Sequence, residues 1–166
     1  MNCLSFDVGG TTVKYGVIDE SYKILKKDKI PTPENENDFI YSLSNIIQEN
    51  LSIISKVSVA MPGYVNSANN KYLYGPHLKY DIDFSKLSNF TDYKFHLDND
   101  GNVAAYCEYF LNYKTKYSNL IMLTFGTGVG GGIISEGRLL RGRGNAGEIG
   151  HMLSLIHISE PTRQEA

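Results

Sequence analysis

The amino-acid sequence predicts an α/β fold with a mixed sheet. Short apolar runs alternate with a segment of helical periodicity, and the first strands follow one another through a glycine turn. The predicted order is three strands, helix, strand, and then strand, helix, strand. Strands joined by hairpins run antiparallel, whereas strands separated by helices can run parallel, so one sheet holds both kinds. The 166 residues are enough for one domain with a core, because 42% of them are hydrophobic and only 20% are charged.

The first three strands are expected at residues 3–8, 13–18 and 22–30. The first is an apolar run that stops at two glycines, and the second resumes with β-branched and aromatic residues. The first two strands therefore form a hairpin around a Gly-Gly-Thr-Thr turn. Prolines at positions 31 and 33 end this unit.

An amphipathic helix is expected to begin at Asp38. Apolar residues recur at three- and four-residue steps after it, at Phe39, Ile40, Leu43, Ile46, Ile47, Leu51 and Ile54. A buried strand follows at residues 57–60 and ends at a Pro-Gly pair. Residues 64–80 are rich in turn-forming residues, and we expect irregular structure there.

The later part of the chain repeats the alternation of strand and helix. A strand is expected at residues 95–97, followed by a helix over residues 103–111 that Asp100 or Asn102 caps. A strand over Leu120–Phe125, a glycine-rich turn and an extended segment at residues 133–134 complete the pattern.

The charge pattern gives no reason to expect a nucleic-acid or membrane partner. The net charge is −2, the basic residues are scattered, and no apolar run reaches the length of a membrane span. The two cysteines, Cys3 and Cys107, lie far apart, and the N-terminal residues do not resemble a signal peptide. We therefore expect a cytoplasmic protein without a disulfide framework.

Residues 153–163 bear no relation to the sequence before them. They read Leu-Ser-Leu-Ile-His-Ile-Ser-Glu-Pro-Thr-Arg, which resembles the in-frame translation of a transposon-type sequencing adapter. The alternative interpretation is a genuine strand with an exposed end. Because foreign segments are excluded from fold reasoning, we expect the natural sequence to end near Met152, and His157 and Glu160 are not site candidates.

The first motif with chemical content lies at residues 7–14 and reads Asp-Val-Gly-Gly-Thr-Thr-Val-Lys. Its two glycines let backbone N–H groups approach an anion, its hydroxyls can donate to phosphate oxygens, and its aspartate can hold a magnesium ion or the waters of that ion. An ordinary hairpin turn is the alternative. The candidate phosphate- and metal-binding residues are Asp7, Gly9, Gly10, Thr11, Thr12 and Lys14.

The second motif lies at residues 126–132 and contains the G-x-G-x-x-G spacing. A dinucleotide-binding fingerprint requires a helix directly after the glycines, but an extended pair and a turn at Glu136-Gly137 follow here. A glycine-rich hairpin is the better interpretation, with Gly126, Thr127 and Gly128 as phosphate-binding candidates. The chain contains no G-x-x-x-x-G-K-[ST] sequence, which excludes a P-loop within it.

Two polar segments complete the set of motifs. Asn99 and Asp100 lie between a predicted strand and a predicted helix, where α/β folds place their chemistry. Asp100 could be the base that phosphoryl transfer to an alcohol requires, although a plain helix cap is the alternative. Glu148 and His151 lie in a glycine-rich segment and could bind sugar hydroxyls, or the histidine could bind zinc, with a solvated loop as the alternative.

In this order, the four segments resemble the ROK family of sugar kinases and repressors, which belongs to the actin-like ATPase superfamily. The resemblance covers residues 1–152 and implies an actin-like ATPase (ribonuclease H-like) fold. It implies a first lobe with a mixed sheet at residues 1–118, the truncated start of a second lobe at 119–152, and an artefactual tail at 153–166.

The resemblance also implies an activity, the ATP- and Mg²⁺-dependent phosphorylation of a hexose or hexose derivative, with glucose and its 6-hydroxyl as the first expectation. Asn99 and Asp100 correspond to the family's sugar-binding pair, in which the aspartate is the base on the acceptor hydroxyl. Glu148 and His151 correspond to further sugar contacts, and Gly63 belongs to the loop that closes one side of the sugar pocket. The two glycine-rich motifs correspond to the family's phosphate motifs.

The chain departs from the family pattern at three places. Pro76-His77-Leu78 replaces the usual Pro-Asn-Leu, Gly101 replaces the usual alanine, and the residues after Met152 replace a cysteine-rich zinc cluster that would share His151. The resemblance implies structural zinc and leaves a homodimer open in an intact parent, and it implies that this chain alone is inactive.

Two other classes of function stay open. The first is a non-catalytic sugar-binding or sensor protein of the same family, which would not need a base at Asp100. The second is an NAD-dependent oxidoreductase, which the missing helix after the glycine-rich segment disfavours. Because the phosphate motif begins as early as Asp7, whereas repressors of the family carry a DNA-binding helix-turn-helix first, we expect a kinase rather than a repressor.

Overall fold

The structure confirms the α/β class and the mixed sheet. This computed structural model describes residues 2–75, 77–90, 94–125, 129–142 and 146–150, with the side chains of residues 88–90 left out. The chain divides into two units, Met1–Asp100 and Gly101–Ala166. The domain boundaries predicted at residues 118 and 152 stay predictions.

Three antiparallel strands open the first unit, as predicted. They are β1 (Asn2–Val8), β2 (Thr12–Ile18) and β3 (Ile24–Pro31). Leu4, Phe6 and Val8 alternate with more exposed residues along β1 and enter the core, which is the period-two pattern of a half-buried strand. Strand β3 is almost wholly exposed, and its lysines protect the edge of the sheet from pairing with other chains.

Helix α1 (Glu36–Asn50) begins two residues before the predicted start. Asn35 caps it, because its side chain accepts a hydrogen bond from the backbone N–H of Asp38 at 3.0 Å. The apolar face predicted from the sequence is buried, with Phe39, Leu43, Ile46 and Ile47 among the core residues. The helix ends at Asn50, before the predicted end at Ile54.

Strand β4 (Ile54–Met61) follows α1 and is longer than predicted. The prediction of irregular structure at residues 64–80 is wrong. Strands β5 (Tyr64–Asn66), β6 (Lys71–Tyr74) and β7 (Ile82–Asp83) form a small antiparallel sheet in the order β5-β6-β7. A 3₁₀ helix (Phe84–Phe90) continues from β7.

Strand β8 (Lys94–Asn99) completes the main sheet of the first unit, in the order β3-β2-β1-β4-β8. Strands β1 and β4 pair in parallel, and so do β4 and β8, whereas β1, β2 and β3 are antiparallel. The carboxyl ends of β1, β4 and β8 therefore lie at the same edge of the sheet. Motifs that follow these strands are placed at that edge by the topology alone.

Helix α2 (Asp100–Glu108) and a π-helical turn (Tyr109–Tyr113) confirm the second predicted helix, but it begins three residues earlier than predicted. The prediction that Asp100 or Asn102 caps it is wrong, because both residues lie within its first turn. In the second unit, β9 (Leu120–Phe125), β10 (Val129–Ser135) and β11 (Arg138–Leu139) form an antiparallel sheet. Helix α2 packs on β10, since a methyl group on Gly132 would lie 2.5 Å from Cβ of Ala105. A strand follows the glycine-rich motif, so the hairpin interpretation is confirmed.

Candidate active site

The phosphate motif at residues 7–14 forms a tight turn between β1 and β2. The backbone N–H of Gly9 donates to the carbonyl oxygen of Thr12 at 3.0 Å. Thr32, just after β3, holds the turn from outside: its hydroxyl donates to the carbonyl of Gly9 at 2.7 Å and its N–H to the carbonyl of Thr11 at 3.0 Å. The turn is fixed by hydrogen bonds before any ligand arrives, which reduces the entropy that ligand binding must overcome.

Asp7 and Lys14 lie opposite each other on β1 and β2. Their charged atoms are 3.6 Å apart, and both side chains remain largely exposed, at 61% and 70% respectively. An exposed ion pair of this kind contributes little free energy. Asp7 and Lys14 can therefore separate at little cost, and each can contact a ligand instead. The carboxylate could hold a magnesium ion through one oxygen, in the manner of Mg²⁺ sites that combine a few carboxylates with phosphate oxygens.

The acceptor side of the site is built around Asn99, the last residue of β8. Its side chain is buried, and its amide Nδ2 donates to the carbonyl of Gly63 at 3.0 Å. Gly63 has φ +100°, and a Cβ there would lie 2.6 Å from Cα of Gly75. Only glycine fits that position, because both the left-handed backbone and the close approach exclude a side chain. Asp100 follows Asn99 and is exposed to solvent.

The sheet register brings the phosphate side and the acceptor side to one edge. Asp7 pairs with Ala60, Ala60 pairs with Asp98, and Met61 pairs with Asn99. Neighbouring strands are about 4.8 Å apart, so the backbones of β1 and β8 are about 10 Å apart across β4. The phosphate turn and the Asn99-Asp100 pair therefore follow strands that lie two strand spacings apart at one edge of the sheet.

A loop after β6 connects the two sides within the first unit. Tyr72 is fully buried, and its hydroxyl donates to the carbonyl of Leu78 at 3.3 Å. Burial, with Tyr80 and Asp81 nearby, raises the pKa of Tyr72 to about 12, so the hydroxyl remains a donor at any physiological pH. This bond holds the loop that carries His77, which lies against Gly10 of the phosphate turn.

The remaining predicted site residues belong to the second unit or fall outside the described residues. Glu148 is half-buried in the second unit, next to Gly147, whose backbone packs against Gly131 and Gly132 of β10. The candidates that fall outside the described residues are Gly126, Thr127, Gly128 and His151. Their predicted roles, including the zinc prediction for His151, stay predictions.

The sequence alone did not indicate that Thr32, Gly75 or His77 contributes to the site. Thr32 carries no motif signal, since it lies between two prolines that indicated only the end of a unit. Gly75 lies in the segment predicted to be irregular. For His77, the sequence indicates only a departure from the family pattern that changes the identity of one expected sugar contact. No local pattern could reveal these contacts, because each joins residues more than ten positions apart.

Within the described ranges, His, Cys, Asp and Glu side chains form no group of three or more that could hold a metal ion. No helix in that same part of the chain combines the length and apolar character needed to cross a membrane.

Comparison with solved structures identifies the fold class. The five-stranded mixed sheet and its connections are those of the actin-like ATPase fold. A ROK family glucokinase from Streptomyces griseus, solved in complex with glucose and AMPPNP, is similar with a TM-score of 0.76 and 29% sequence identity. The similarity covers 89% of this chain and 49% of that chain.

The ROK family profile matches residues 3–160, and the chain belongs to the ROK family. It is 32% identical over 155 residues to a glucokinase of Streptomyces coelicolor, covering 90% of this chain and 49% of the relative. It is 31% identical over 158 residues to a β-glucoside kinase of Listeria monocytogenes, covering 93% and 54%. The chain thus spans about half the length of the curated relatives it matches. The profile match extends past Met152, and the boundary predicted there stays a prediction.

Proposed function

We propose that the intact parent of this chain phosphorylates a hexose or hexose derivative at the expense of ATP, with glucose and its 6-hydroxyl as the first candidate. The observation that carries the proposal is the shared edge of β1, β4 and β8. There a glycine turn suited to phosphate lies about two strand spacings from an Asn-Asp pair suited to a sugar hydroxyl. The names of the similar proteins support this class of reaction.

In the proposed reaction, the acceptor hydroxyl oxygen attacks the γ-phosphorus of ATP. The new bond joins this oxygen to phosphorus, the bond between phosphorus and the bridging oxygen breaks, and ADP leaves with the electron pair. Asp100 accepts the proton of the hydroxyl. Asn99 fixes the acceptor loop, the Pro62-Gly63 turn between β4 and β5, by donating to the carbonyl of Gly63. The N–H of Gly9 holds the phosphate turn by donating to the carbonyl of Thr12, and the turn around Gly10 would present backbone N–H groups to phosphate oxygens.

ATP and Mg²⁺ are the cofactors of this proposal. Bound Mg²⁺ would neutralise charge on the phosphates, and Asp7 would hold the ion or its waters. Lys14 would leave its pair with Asp7 and provide a positive charge for the phosphates. Glu148 and His151 are proposed as sugar contacts, and Gly126, Thr127 and Gly128 as the second phosphate turn.

Replacement of Asp100 by asparagine in the complete protein tests the proposal most directly. Because a general base contributes about 10²–10⁴ in rate, we expect kcat to fall at least about a hundredfold while hexose binding is nearly retained. Turnover is measured by ³¹P NMR of sugar phosphate formed from ATP, and binding by calorimetry. The matched control is Asp98→Asn, which removes a neighbouring charge but keeps a side-chain oxygen that can accept the hydrogen bond from the N–H of Asn99, 2.9 Å long in the wild type.

An Asp100→Asn protein with unchanged turnover would exclude the base role. Hexose binding without phosphorylation by the complete protein would instead indicate the sensor alternative. We also propose that the present chain alone does not turn over, since it spans only about half the length of its relatives. Detectable ATP-dependent sugar phosphorylation by the purified chain would contradict that statement. Glucosides, fructose and N-acetylated hexosamines belong in the same substrate panel.

A further inference from the structure

The side chain of His77 packs directly on the phosphate turn. A Cβ at Gly10 would lie 2.8 Å from Cβ of His77, 3.0 Å from its Cγ and 3.2 Å from its Nδ1. A carbon–carbon distance of 2.8 Å is shorter than van der Waals contact, so the space in front of Gly10 is already occupied by the histidine. The turn and the histidine are therefore fitted to each other, although they are far apart in sequence.

The position of His77 is fixed from both sides of its loop. On one side, Leu78 is buried and its carbonyl accepts the hydrogen bond from the hydroxyl of Tyr72. On the other side, Gly75 lies in close contact with Gly63, where an added Cβ would be 2.6 Å from Cα of Gly75. His77 itself remains exposed, so an imidazole held in place by its neighbours is also accessible to a ligand.

A continuous series of contacts leads from the acceptor side to the phosphate turn. Asn99 donates to Gly63, Gly63 abuts Gly75, and two residues further along the chain His77 abuts Gly10. In direct phosphoryl transfer, the acceptor hydroxyl and the terminal phosphate must meet between these two sides. His77 lies on the path that joins them, at the end that touches the turn.

We propose that the imidazole of His77 donates a hydrogen bond to the terminal phosphate of the nucleoside triphosphate, and so adds a side-chain donor to the phosphate turn. The inference rests on the proposed function and deepens it. An imidazole carries at least one N–H in either protonation state, and a donor gives a strong bond to an anionic phosphate oxygen.

The test uses the purified chain with ¹⁵N-labelled histidine and glycine, titrated with Mg²⁺ and AMPPNP and followed by NMR. We expect the imidazole signals of His77 and the amide signals of Gly9 and Gly10 to shift with one common midpoint. His96, exposed on β8, is the internal control and should not shift. His77→Ala should weaken AMPPNP binding about tenfold or more, as for a lost hydrogen bond to a charged group. His96→Ala should leave binding unchanged.

Two outcomes overturn the inference and are distinguishable. If the glycine amide signals shift while the imidazole signals of His77 do not, the histidine has no contact with phosphate, and the phosphate role of the turn is supported. If neither shifts, the inference fails together with the phosphate role of the turn. His77→Asn is the second variant, for use if the alanine variant loses its amide spectrum. Asparagine retains a donor of shorter reach, so an AMPPNP affinity of the folded His77→Asn protein weaker than that of the wild type supports the inference, and an unchanged affinity contradicts it.

Discussion

The two sides of the candidate site are stabilised in different ways. The phosphate turn joins β1 and β2, which are neighbours in sequence and pair without interruption from Cys3↔Ile18 to Val8↔Val13. The acceptor side depends on contacts between distant residues, such as Asn99 with Gly63. Neighbouring residues set the register of the β1–β2 hairpin, and Thr32 and His77 only support its turn from outside. The acceptor loop, by contrast, takes its shape only when the surrounding fold is complete. Substitutions on the phosphate side should therefore mainly change ligand binding, and substitutions on the acceptor side should mainly change the free energy of unfolding.

The largest expected effect on stability is that of Gly63→Ala. Its φ of +100° is unfavourable for alanine, and the new Cβ would lie 2.6 Å from both Cα of Gly75 and the carbonyl oxygen of Tyr74. Backbone strain and overpacking together should lower the free energy of unfolding by about 3 kcal/mol. Urea unfolding followed by circular dichroism measures this change.

Gly9→Ala is the matched control on the other side of the site. A Cβ there would meet only the carbonyl oxygen of Thr12, at 3.1 Å, and φ lies outside the left-handed region. We expect a loss of stability below about 1 kcal/mol. Equal destabilisation by the two variants would remove the distinction between a locally formed turn and a loop that depends on distant contacts.

The same distinction explains how much the sequence alone could predict. The first hairpin was predictable because an apolar run, two glycines and a β-branched run are all local signals. The position of Asn99 and Asp100 at a strand end was predictable for the same reason. Strands β5 and β6 were missed, since they form around the close approach of Gly63 to Gly75 and the burial of Tyr72. The packing of His77 on Gly10 was missed for the same reason.

The end of helix α1 shows a second limit of pattern reasoning. Ile54 continues the three- and four-residue spacing of the apolar helix face, so periodicity alone extends the helix to it. In the structure, Ile54 is buried as the first residue of β4, and the helix ends at Asn50. A buried strand that starts in phase with a helix face cannot be recognised from spacing, because the next apolar residue satisfies both patterns.

We expect pH to have an intermediate effect on the stability of the small sheet β5-β6-β7 beside the acceptor loop. Hydrogen bonds from the hydroxyl and N–H of Ser85, with Lys71 at 3.1 Å, lower the pKa of Asp83 from 3.8 to about 2. A lowered pKa means that the folded state prefers the carboxylate. This stabilisation is fully present above pH 4 and is lost as the pH falls towards 2.

Asp83→Asn should therefore be less stable than the wild type at pH 5, and the difference should shrink as the pH falls to 2. Urea midpoints across this range measure the trend. Amide hydrogen exchange should locate the loss of protection in β6 and β7 rather than in β1 and β2. Asp81→Asn is the control, as it leaves the contacts of Asp83 in place. A constant difference between Asp83→Asn and the wild type over the whole range would show that Asp83 does not titrate with folding.

The smallest expected effect on stability is that of Lys14→Met on the phosphate side. Its pair with Asp7 is exposed and 3.6 Å long, so its removal should change the free energy of unfolding by no more than about 0.5 kcal/mol. AMPPNP binding should nevertheless weaken, because a lysine acts as a point charge on phosphate. Since salt screens exposed charges, the difference in affinity between wild type and variant should decrease from low to high ionic strength. Equal affinities at low salt would mean that Lys14 only pairs with Asp7. Weakened binding at unchanged stability would show that this side of the site carries a charge for the ligand that the fold does not need.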